Sequence, residues 1–333
     1  MSNTEESTLT QRRSGSTRAS VLRRRLGPWG VPLILVAVVV TFQLINERFL
    51  SMENIATILE GAMLPAIVAC ALTVVLIMGQ FDLSIQAMAG FATVFFAVLM
   101  ANFNLTVISA LLIMAVVAVI LGLVNGWFVA YRGLNALVVT IATASLLNGG
   151  EFFVSDSKSI SVGIDKSFVG FVRSDALGVP ILVWITLAIA GLVWLMLDQT
   201  RFGRELKAVG SNSEAARFAG VNVRRVVMLG FVVSAALCVI AGVLYTGRQA
   251  QAYPLTGLEV LLPSFAACFI GAAMFKMGKF NIPGTLVGAL LASIVANGLL
   301  LANVGGYTSY FFQGAILLGA VWFARIVTGK GGM

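Results

Sequence analysis

Apolar runs long enough to cross a lipid bilayer recur through almost the whole chain. A transmembrane helix needs about 20 mostly apolar residues. Hydrophobic residues make up 59% of the chain and charged residues only 11%, whereas roughly a quarter of a soluble domain is charged. The sequence therefore predicts an all-α fold, a polytopic transmembrane helical bundle of about ten spans. The predicted spans are 29–45, 58–78, 86–102, 106–130, 136–154, 179–197, 226–246, 260–275, 283–302 and 309–326.

Basic residues predict that both termini are cytoplasmic. Lys and Arg are enriched in cytoplasmic loops, and this topology places 17 of the 22 Lys and Arg residues on that side. The net charge of +8 thus comes from loops beside apolar spans and does not indicate a nucleic-acid partner. Three regions follow: a disordered basic cytoplasmic tail at 1–28, a transmembrane domain at 29–326 and a cytoplasmic tail at 327–333. No Ala-x-Ala-like site follows the first apolar run, which favours an uncleaved span over a signal peptide.

Composition excludes several kinds of site. The chain has no histidine, so His-based catalysis and His metal ligation are ruled out. Cys70, Cys238 and Cys268 all fall inside apolar runs, where they are expected to be packing residues. A phosphate-binding Gly-x4-Gly-Lys-Ser/Thr loop is absent from the sequence. We therefore expect no catalytic residue, no metal and no cofactor bound by this chain, and a membrane enzyme is the least favoured class.

The longest polar run between two apolar blocks is 199–225, on the predicted cytoplasmic side. Ser211 and Glu214 are spaced like a helix-capping box, and Gly220 stands where a helix would stop. The spacing predicts a short helix over about 212–219.

This predicted helix fits two interpretations. It is either a solvated connector that its basic residues hold inside, or a docking helix for a cytoplasmic partner. In the second interpretation, two small alanines let the partner approach closely and a glycine turns the chain away. The residues predicted to couple the chain to such a partner are Glu214, Ala215, Ala216, Arg217 and Gly220.

Polar side chains inside apolar spans are costly and therefore candidates for function. Each of them fits an interhelical hydrogen bond. As a set they also fit a path for a neutral, hydroxyl-rich solute, because amides and hydroxyls both donate and accept. The few charged residues in the spans argue against an ion relay. The predicted substrate path consists of Asn125, Thr140, Asn148 and Asn297, with Thr143 nearby.

The external side carries one long connection and two acidic residues near span ends. Residues 155–178 mix three acidic with three basic residues, which is typical of a solvated loop. Together with 249–259 this segment is the expected surface for a soluble binding protein that docks from outside. Glu60 and Glu151 stand near the outer ends of their spans and are expected at the membrane interface.

Two segments of the chain form a pseudo-repeat. Residues 64–70 (LPAIVAC) recur as 262–268 (LPSFAAC), and 78–83 (MGQFDL) recur as 277–282 (MGKFNI). Chance similarity between apolar helices is the alternative. In the ten-span topology both copies run inward, so the repeat is parallel, and each glycine is predicted to break a helix before a polar residue caps the next one. The predicted break or gating residues are Gly79, Asp82, Ser84, Gly278 and Asn281.

Four motifs, in order, resemble those of one transporter family. Residues 79–84 (GQFDLS) resemble its GGIDLS, and residues 139–143 (VTIAT) resemble its VTLGT. Residues 202–221 resemble its coupling loop, GR…EAARLAGI, and residues 296–299 resemble its NGL motif. Over 54–325 the chain is thus similar to the permease of bacterial ribose-type ABC importers of monosaccharides.

The resemblance implies an assembly in the bacterial cell (inner) membrane. It comprises two permease subunits, two cytoplasmic ABC ATPases that bind ATP and Mg²⁺, and an external sugar-binding protein. The second permease is a copy or a close relative of this chain, and the 199–225 loop inserts into a groove on the ATPase. Departures from the family motifs, at 80, 135–137 and 274–279, surround the predicted path and leave the sugar open. A branched-chain amino-acid permease and an ATPase-independent secondary carrier remain as alternatives.

Overall fold

The computed structural model describes residues 33–274 and 278–305, with eight further residues scattered between 307 and 319. The predicted tails, 1–28 and 327–333, lie outside the described residues, as does most of the predicted last span, 309–326. Within the described part the fold is all-α, apart from a two-residue hairpin, Asp175–Ala176 (β1) with Val179–Pro180 (β2), and one isolated bridge.

The helices over residues 33–301 are named in chain order. They are α1 (Leu33–Ile45), a 3₁₀ turn (Glu47–Leu50), α2 (Met52–Ile77), α3 (Ile85–Ala101), α4 (Val107–Ala130), α5 (Ala136–Val154), α6 (Lys166–Val172), α7 (Ile181–Gln199), α8 (Arg201–Ser211), α9 (Ser213–Phe218), α10 (Val223–Gln249), α11 (Leu258–Ala272) and α12 (Ile282–Leu301).

Six of these helices are long and apolar enough to cross a membrane: α2, α4, α5, α7, α10 and α12. Three others, α1, α3 and α11, are apolar but shorter. The spans predicted at 86–102 and 260–275 are two of the short ones, α3 and α11. The chain is therefore a polytopic, all-helical membrane bundle, as predicted.

Helix α2 lies at the centre of the bundle. Its most apolar 18-residue window is 78% buried, because α3, α7, α10, α11 and α12 pack around it. A helix surrounded by neighbours needs apolar residues on every side rather than on one face. Helix α4 is peripheral: only 22% of its window is buried, and Ile108, Leu112 and Val116 are exposed. We infer that this outer face contacts lipid or another membrane-embedded subunit.

Glycines set the close approach of α4 to α10. A Cβ at Gly122 would overlap the Cα of Val232, and a Cβ at Gly126 would lie 2.7 Å from the Cα of Met228. Small residues four apart let two membrane helices pack backbone to backbone, where dispersion contacts replace the absent hydrophobic driving force.

The two copies of the pseudo-repeat lie side by side in α2 and α11. Ser264 Oγ donates to the carbonyl oxygen of Pro65 (3.1 Å), and Cys268 Sγ donates to that of Ala69 (3.2 Å). Residue numbers increase together along the two helices, so α2 and α11 run in the same direction, as the parallel repeat predicts.

In both copies a glycine in the left-handed region follows the end of the helix. Gly79 has φ +77° and Gly278 has φ +75°, conformations that favour residues without a Cβ. The next helix starts at Ile85 in one copy and at Ile282 in the other. The helix breaks predicted from the repeat are thus present in both places.

The segment 155–178, predicted to be a solvated external loop, contains regular structure, although most of its residues are exposed to solvent. It contains α6 and the hairpin, and its Ile160 bridges to Ala252 of the connection between α10 and α11. Arg173 Nε also donates to the carbonyl oxygen of Arg248 (2.8 Å). At its exposed tip, the Lys158 ammonium donates to Asp156 and lowers the pKa of that carboxyl. Backbone pairing between these two connections thus gives this end of the bundle a defined surface.

Candidate functional site

The predicted docking segment consists of two helices, α8 and α9, instead of one. Asn212, in extended conformation (φ −163°), separates them, and its Oδ1 accepts a hydrogen bond from the backbone N–H of Ala215 (2.9 Å). Ser211 is the last residue of α8 and donates to the carbonyl oxygen of Lys207. The predicted Ser211 cap is therefore wrong, because the residue after it has the extended backbone that an N-cap requires.

Helix α9 presents most of its surface to solvent. Glu214, Ala215 and Arg217 are exposed, and the Phe218 ring is 83% exposed. Ala216 is the exception, since it is buried against the rest of the chain. Gly220 ends this segment with φ +84° and donates to the carbonyl oxygen of Arg217. An exposed aromatic ring beside charged groups on a capped helix is suited to contact with another protein.

Helix α8 connects this exposed face to the membrane core. It buries Gly203, Leu206 and Val209, one side of an otherwise polar helix. A Cβ at Gly210 would overlap the carbonyl oxygen of Ile77, the last residue of α2. The backbone of α8 therefore touches the end of α2, next to the first helix break.

A groove lies on each side of this contact. The first, of about 500 Å³, is lined by residues 78–80 at the first break, together with 209–213 and 223–224. The second, of about 640 Å³, is lined by 278–282 at the other break and by parts of α7 and α8. The α8–α9 segment thus adjoins both copies of the repeat.

A buried hydrogen-bond network fixes the first break to α4 and α5. Asp82 Oδ1 accepts from both the N–H (2.8 Å) and the Oγ (2.5 Å) of Ser84. Ser84 Oγ accepts from Asn125 Nδ2 (2.9 Å), and Asn125 Oδ1 accepts from Thr143 Oγ1 (2.6 Å). Thr140 Oγ1 accepts the N–H of Leu83 (3.1 Å). The cap expected at Asp82 or Ser84 is not formed by either side chain, because Asp82 bonds only to Ser84, which precedes α3, and Ser84 makes no capping bond.

The second break is simpler. Asn281 Oδ1 accepts from the N–H of Gly284 (2.8 Å), so Asn281 caps α12 with Pro283 in the first turn, as predicted. Asn281 Nδ2 donates to the carbonyl oxygen of Gly271 in α11. The amide thus connects the helix before the break to the helix after it.

The four predicted path residues do not share one surface. Asn125 and Thr140 are fully buried within the network at the first break. Asn148 is half-buried on α5, and Asn297 is half-buried on α12. Each of these two asparagines has a buried side-chain oxygen without a hydrogen-bond partner. Helix α5 packs on α3 and α4, whereas α12 packs on α2, α7 and α11. Asn297 therefore lies on a helix that packs in a different part of the bundle from the helices of the other three residues.

A polar seam between α3 and α5 was only partly predicted. Beyond Thr140 and Asn148 it contains Gln86 and Glu151, and the side-chain oxygens Gln86 Oε1 and Glu151 Oε1 are buried without partners. The Glu151 side chain, expected at the membrane interface, is completely buried within the protein. Its spacing of three residues from Asn148 and eleven from Thr140 places these polar groups on neighbouring faces of one helix. That pattern was the signal available in the sequence.

Among the described residues, His, Cys, Asp and Glu form no cluster of three able to hold a metal ion. Cys70, Cys238 and Cys268 are free and buried. Of these, Cys268 hydrogen-bonds across to α2, so it is part of helix packing.

The comparisons identify similar proteins over most of the chain. Residues 54–321 match a family model described as "Branched-chain amino acid transport system / permease component". The ribose import permease of Haemophilus influenzae is 30% identical over 292 residues, covering 87% of this chain and 89% of the relative. The L-arabinose transport permease of Escherichia coli is 31% identical over 318 residues, covering 94% and 95%. The D-allose transport permease of E. coli is 27% identical over 301 residues, covering 90% and 92%. No solved structure gives a significant match.

Proposed function

We propose a function for this chain from its family: it belongs to the family of branched-chain amino acid transport system permease components. Within that family it is the membrane-spanning permease of an ATP-binding-cassette importer of monosaccharides, a multi-pass protein of the inner membrane. It is a transport subunit and not an enzyme, because ATP hydrolysis belongs to a separate chain. The observation that carries the sugar assignment is the end-to-end similarity to permeases named for ribose, arabinose and allose.

The assembly and its topology complete the proposal. Ten spans with both termini in the cytoplasm place the α8–α9 segment inside, where an ABC ATPase that binds ATP and Mg²⁺ docks. An external sugar-binding protein docks on the folded segment around 155–178 and 249–259, and a second permease subunit, a copy or a close relative, completes the membrane part. Two observations support this arrangement: the excess of basic residues in the predicted cytoplasmic segments and the solvent-exposed face of α9.

The α8–α9 segment transmits the ATPase stroke to the membrane. The ATPase contacts the exposed side of α9, including Glu214, Ala215 and Arg217, and the turn at Gly220 that follows it. Ala216 anchors α9 to the rest of the permease. Motion of α8 reaches α2 through the backbone contact of Gly210 with Ile77. Because interfaces this tightly packed shift between discrete arrangements rather than deform gradually, the helix break beyond this contact moves with it.

The two helix breaks gate the path of the solute. At the first break, Asp82 and Ser84 connect the moving backbone to Asn125, and Thr140 holds Leu83. Non-helical backbone at membrane depth is tolerated only inside protein or beside a water-filled cavity. Gly79 provides the backbone turn at the first break. Gly278 and Asn281 provide it at the second. Asn148 on α5 has an unpaired oxygen to which the hydroxyl groups of a sugar can donate, and Asn297 on α12 supplies a second such oxygen at a separate point of the path.

Uptake by the reconstituted complex tests the function. The chain, with its copurified ATPase and cognate binding protein in proteoliposomes, should import at least one of labelled D-ribose, L-arabinose or D-allose when ATP is present. Uptake of labelled leucine is measured in parallel, because the alternative function is transport of branched-chain amino acids. Import of leucine alone, or import of a sugar without ATP, would contradict the proposal.

Asp82 is expected to act by accepting hydrogen bonds rather than by carrying a proton. Asp82→Asn keeps an acceptor oxygen for the N–H and Oγ of Ser84, so it should retain most of the uptake rate. Asp82→Leu removes the acceptor from a fully buried site, which costs about 1–3 kcal/mol, and should reduce uptake at least tenfold. Uptake rates per inserted permease measure both variants. A stably folded but inactive Asn variant would instead indicate a role for the charge.

A further inference from the structure

The outer connection between α10 and α11, residues 250–257, reaches into the bundle. In the register that pairs α11 with α2, Gly257 lies level with Ile58, about six residues inside the outer end of α2. At 1.5 Å of rise per residue this depth is about 9 Å. The connection therefore enters the membrane domain from outside, opposite the first helix break, which lies at the inner end of α2.

The deep end of this connection rests on the first turns of α3. A Cβ at Gly257 would overlap the carbonyl oxygen of Gln86, and a Cβ at Gly90 would lie 3.1 Å from the backbone nitrogen of Gly257. Backbone polar groups at such depth require partners within the protein or water. A contact this close also leaves no room for a solute between the connection and α3.

A side chain of α5 accepts a hydrogen bond from a backbone N–H group of this connection. Glu151 Oε2 of α5 accepts a hydrogen bond from the N–H of Leu255 (2.5 Å). Glu151 is fully buried, and a Cβ at Gly90 would lie 2.5 Å from its Oε1. Leu255 has φ +66°, a left-handed conformation that a non-glycine residue keeps only when its surroundings impose it.

Polar groups of the seam lie just beneath this closure. Gln86 and Asn148 both have unpaired oxygens. Asn148 precedes Glu151 by one helical turn on the inner side. Further inward the seam meets Ser84 and Thr143 of the buried network. The connection held by Glu151 therefore separates the outer surface from the polar part of the bundle.

We propose that Glu151 is a positioning residue that holds the 250–257 connection against α3 and so closes the outer end of the solute path. The closure is relevant to transport only if the proposed permease function is correct, whereas the holding contact can be measured without transport. When the connection lifts, the buried seam opens to the outside, and when Glu151 accepts the Leu255 N–H again, the seam closes.

Cysteine accessibility tests the contact on the full-length chain in lipid nanodiscs. Thr256 is only 4% exposed and adjoins Leu255, so Thr256→Cys introduces a reporter of nearly the same size. Its labelling rate by a membrane-impermeant maleimide is read by peptide mapping in the parent, in Glu151→Met and in Glu151→Gln. Glu53→Met, at an exposed glutamate in the first turn of α2, is the matched control. The buried native cysteines report global unfolding in the same sample.

The Met variant lacks the acceptor and should raise labelling at position 256 about tenfold or more, because it leaves a buried N–H unpaired. The Gln variant keeps an acceptor oxygen and should stay within about threefold of the parent, as should Glu53→Met. Parallel labelling of Cys70, Cys238 and Cys268 in the Met variant would mean that Glu151 only stabilises the fold. Unchanged labelling in the Met variant, or equal opening by Gln and Met, would also overturn the proposal. None of these outcomes depends on which solute the permease carries.

Discussion

Gly210→Ala is expected to disable transport although it adds a single methyl group. The new Cβ would overlap the carbonyl oxygen of Ile77 and lie 2.9 Å from its carbonyl carbon and 3.1 Å from that of Met78. These are backbone atoms that cannot rotate away, so α8 must move off the end of α2. Overpacking of this kind costs about 1–3 kcal/mol. We expect a lower melting temperature and at least a tenfold loss of uptake.

Gly191→Ala is the matched control for this variant. Gly191 is also a helical glycine, on α7, but a Cβ there meets nothing within 4 Å. Because alanine favours a helix over glycine by about 1 kcal/mol, the control should be neutral or slightly stabilised and should transport normally. Equal melting temperatures and uptake in the two variants would show that α8 does not rest on α2 in the working transporter.

Glu214→Lys is expected to uncouple ATP hydrolysis from uptake while the permease still inserts. Glu214 is exposed in the first turn of α9, so reversing its charge costs the isolated chain only about 0.3–1 kcal/mol of interaction with the helix dipole. At an interface, an unpaired or like-charged contact costs about 2–5 kcal/mol. Uptake should therefore fall more than tenfold at normal expression, with ATP hydrolysis by the complex no longer stimulated by the loaded binding protein.

Gly220→Asp also tests the α9 segment, because it strains the backbone of the turn that follows this helix. Gly220 has φ +84° and Gly133, between α4 and α5, has φ +70°, and a Cβ meets nothing within 4 Å at either position. The local strain of Gly133→Asp is therefore comparable, about 1–2 kcal/mol, at a turn outside the α8–α9 segment. Loss of uptake in the Gly220 variant alone supports coupling through α9. Normal uptake in both Glu214→Lys and Gly220→Asp would contradict the proposal that α9 couples the permease to the ATPase.

The repeat could be predicted from sequence because two of its marker residues are rare, since the chain has only seven prolines and three cysteines. Prolines, cysteines and glycines at matched spacing indicated both helix breaks, and α2 and α11 run parallel as expected. Helix α8 was missed because Gly203, Leu206 and Val209 form a narrow apolar stripe within a highly charged run. The cap of α9 was assigned one residue early, to Ser211 instead of Asn212, since neighbouring Ser and Asn residues are both good N-caps and only backbone geometry separates them.

The outer half of the polar seam escaped prediction for a different reason. A glutamate near the end of an apolar span is ordinarily interfacial, because a buried charge is costly. Glu151 is buried because the 250–257 connection folds inward over it. That tertiary contact joins residues 104 positions apart, and neither segment shows it alone. The small residues that make the contact possible, Gly90 and Gly257, were equally unremarked as isolated glycines in the sequence.

The central position of α2 has a consequence for biogenesis. Thr73 of α2 finds its hydrogen-bond partners Cys268 and Thr285 only 195 and 212 residues later in the chain. Synthesis at 5–20 residues per second separates these events by roughly 10–40 s. During that interval the sides of α2 that α10, α11 and α12 later cover face lipid tails, and their apolar composition makes this tolerable. The late helices α10, α11 and α12 must then displace lipid from it, so the last third of the nascent chain determines when the permease acquires its core.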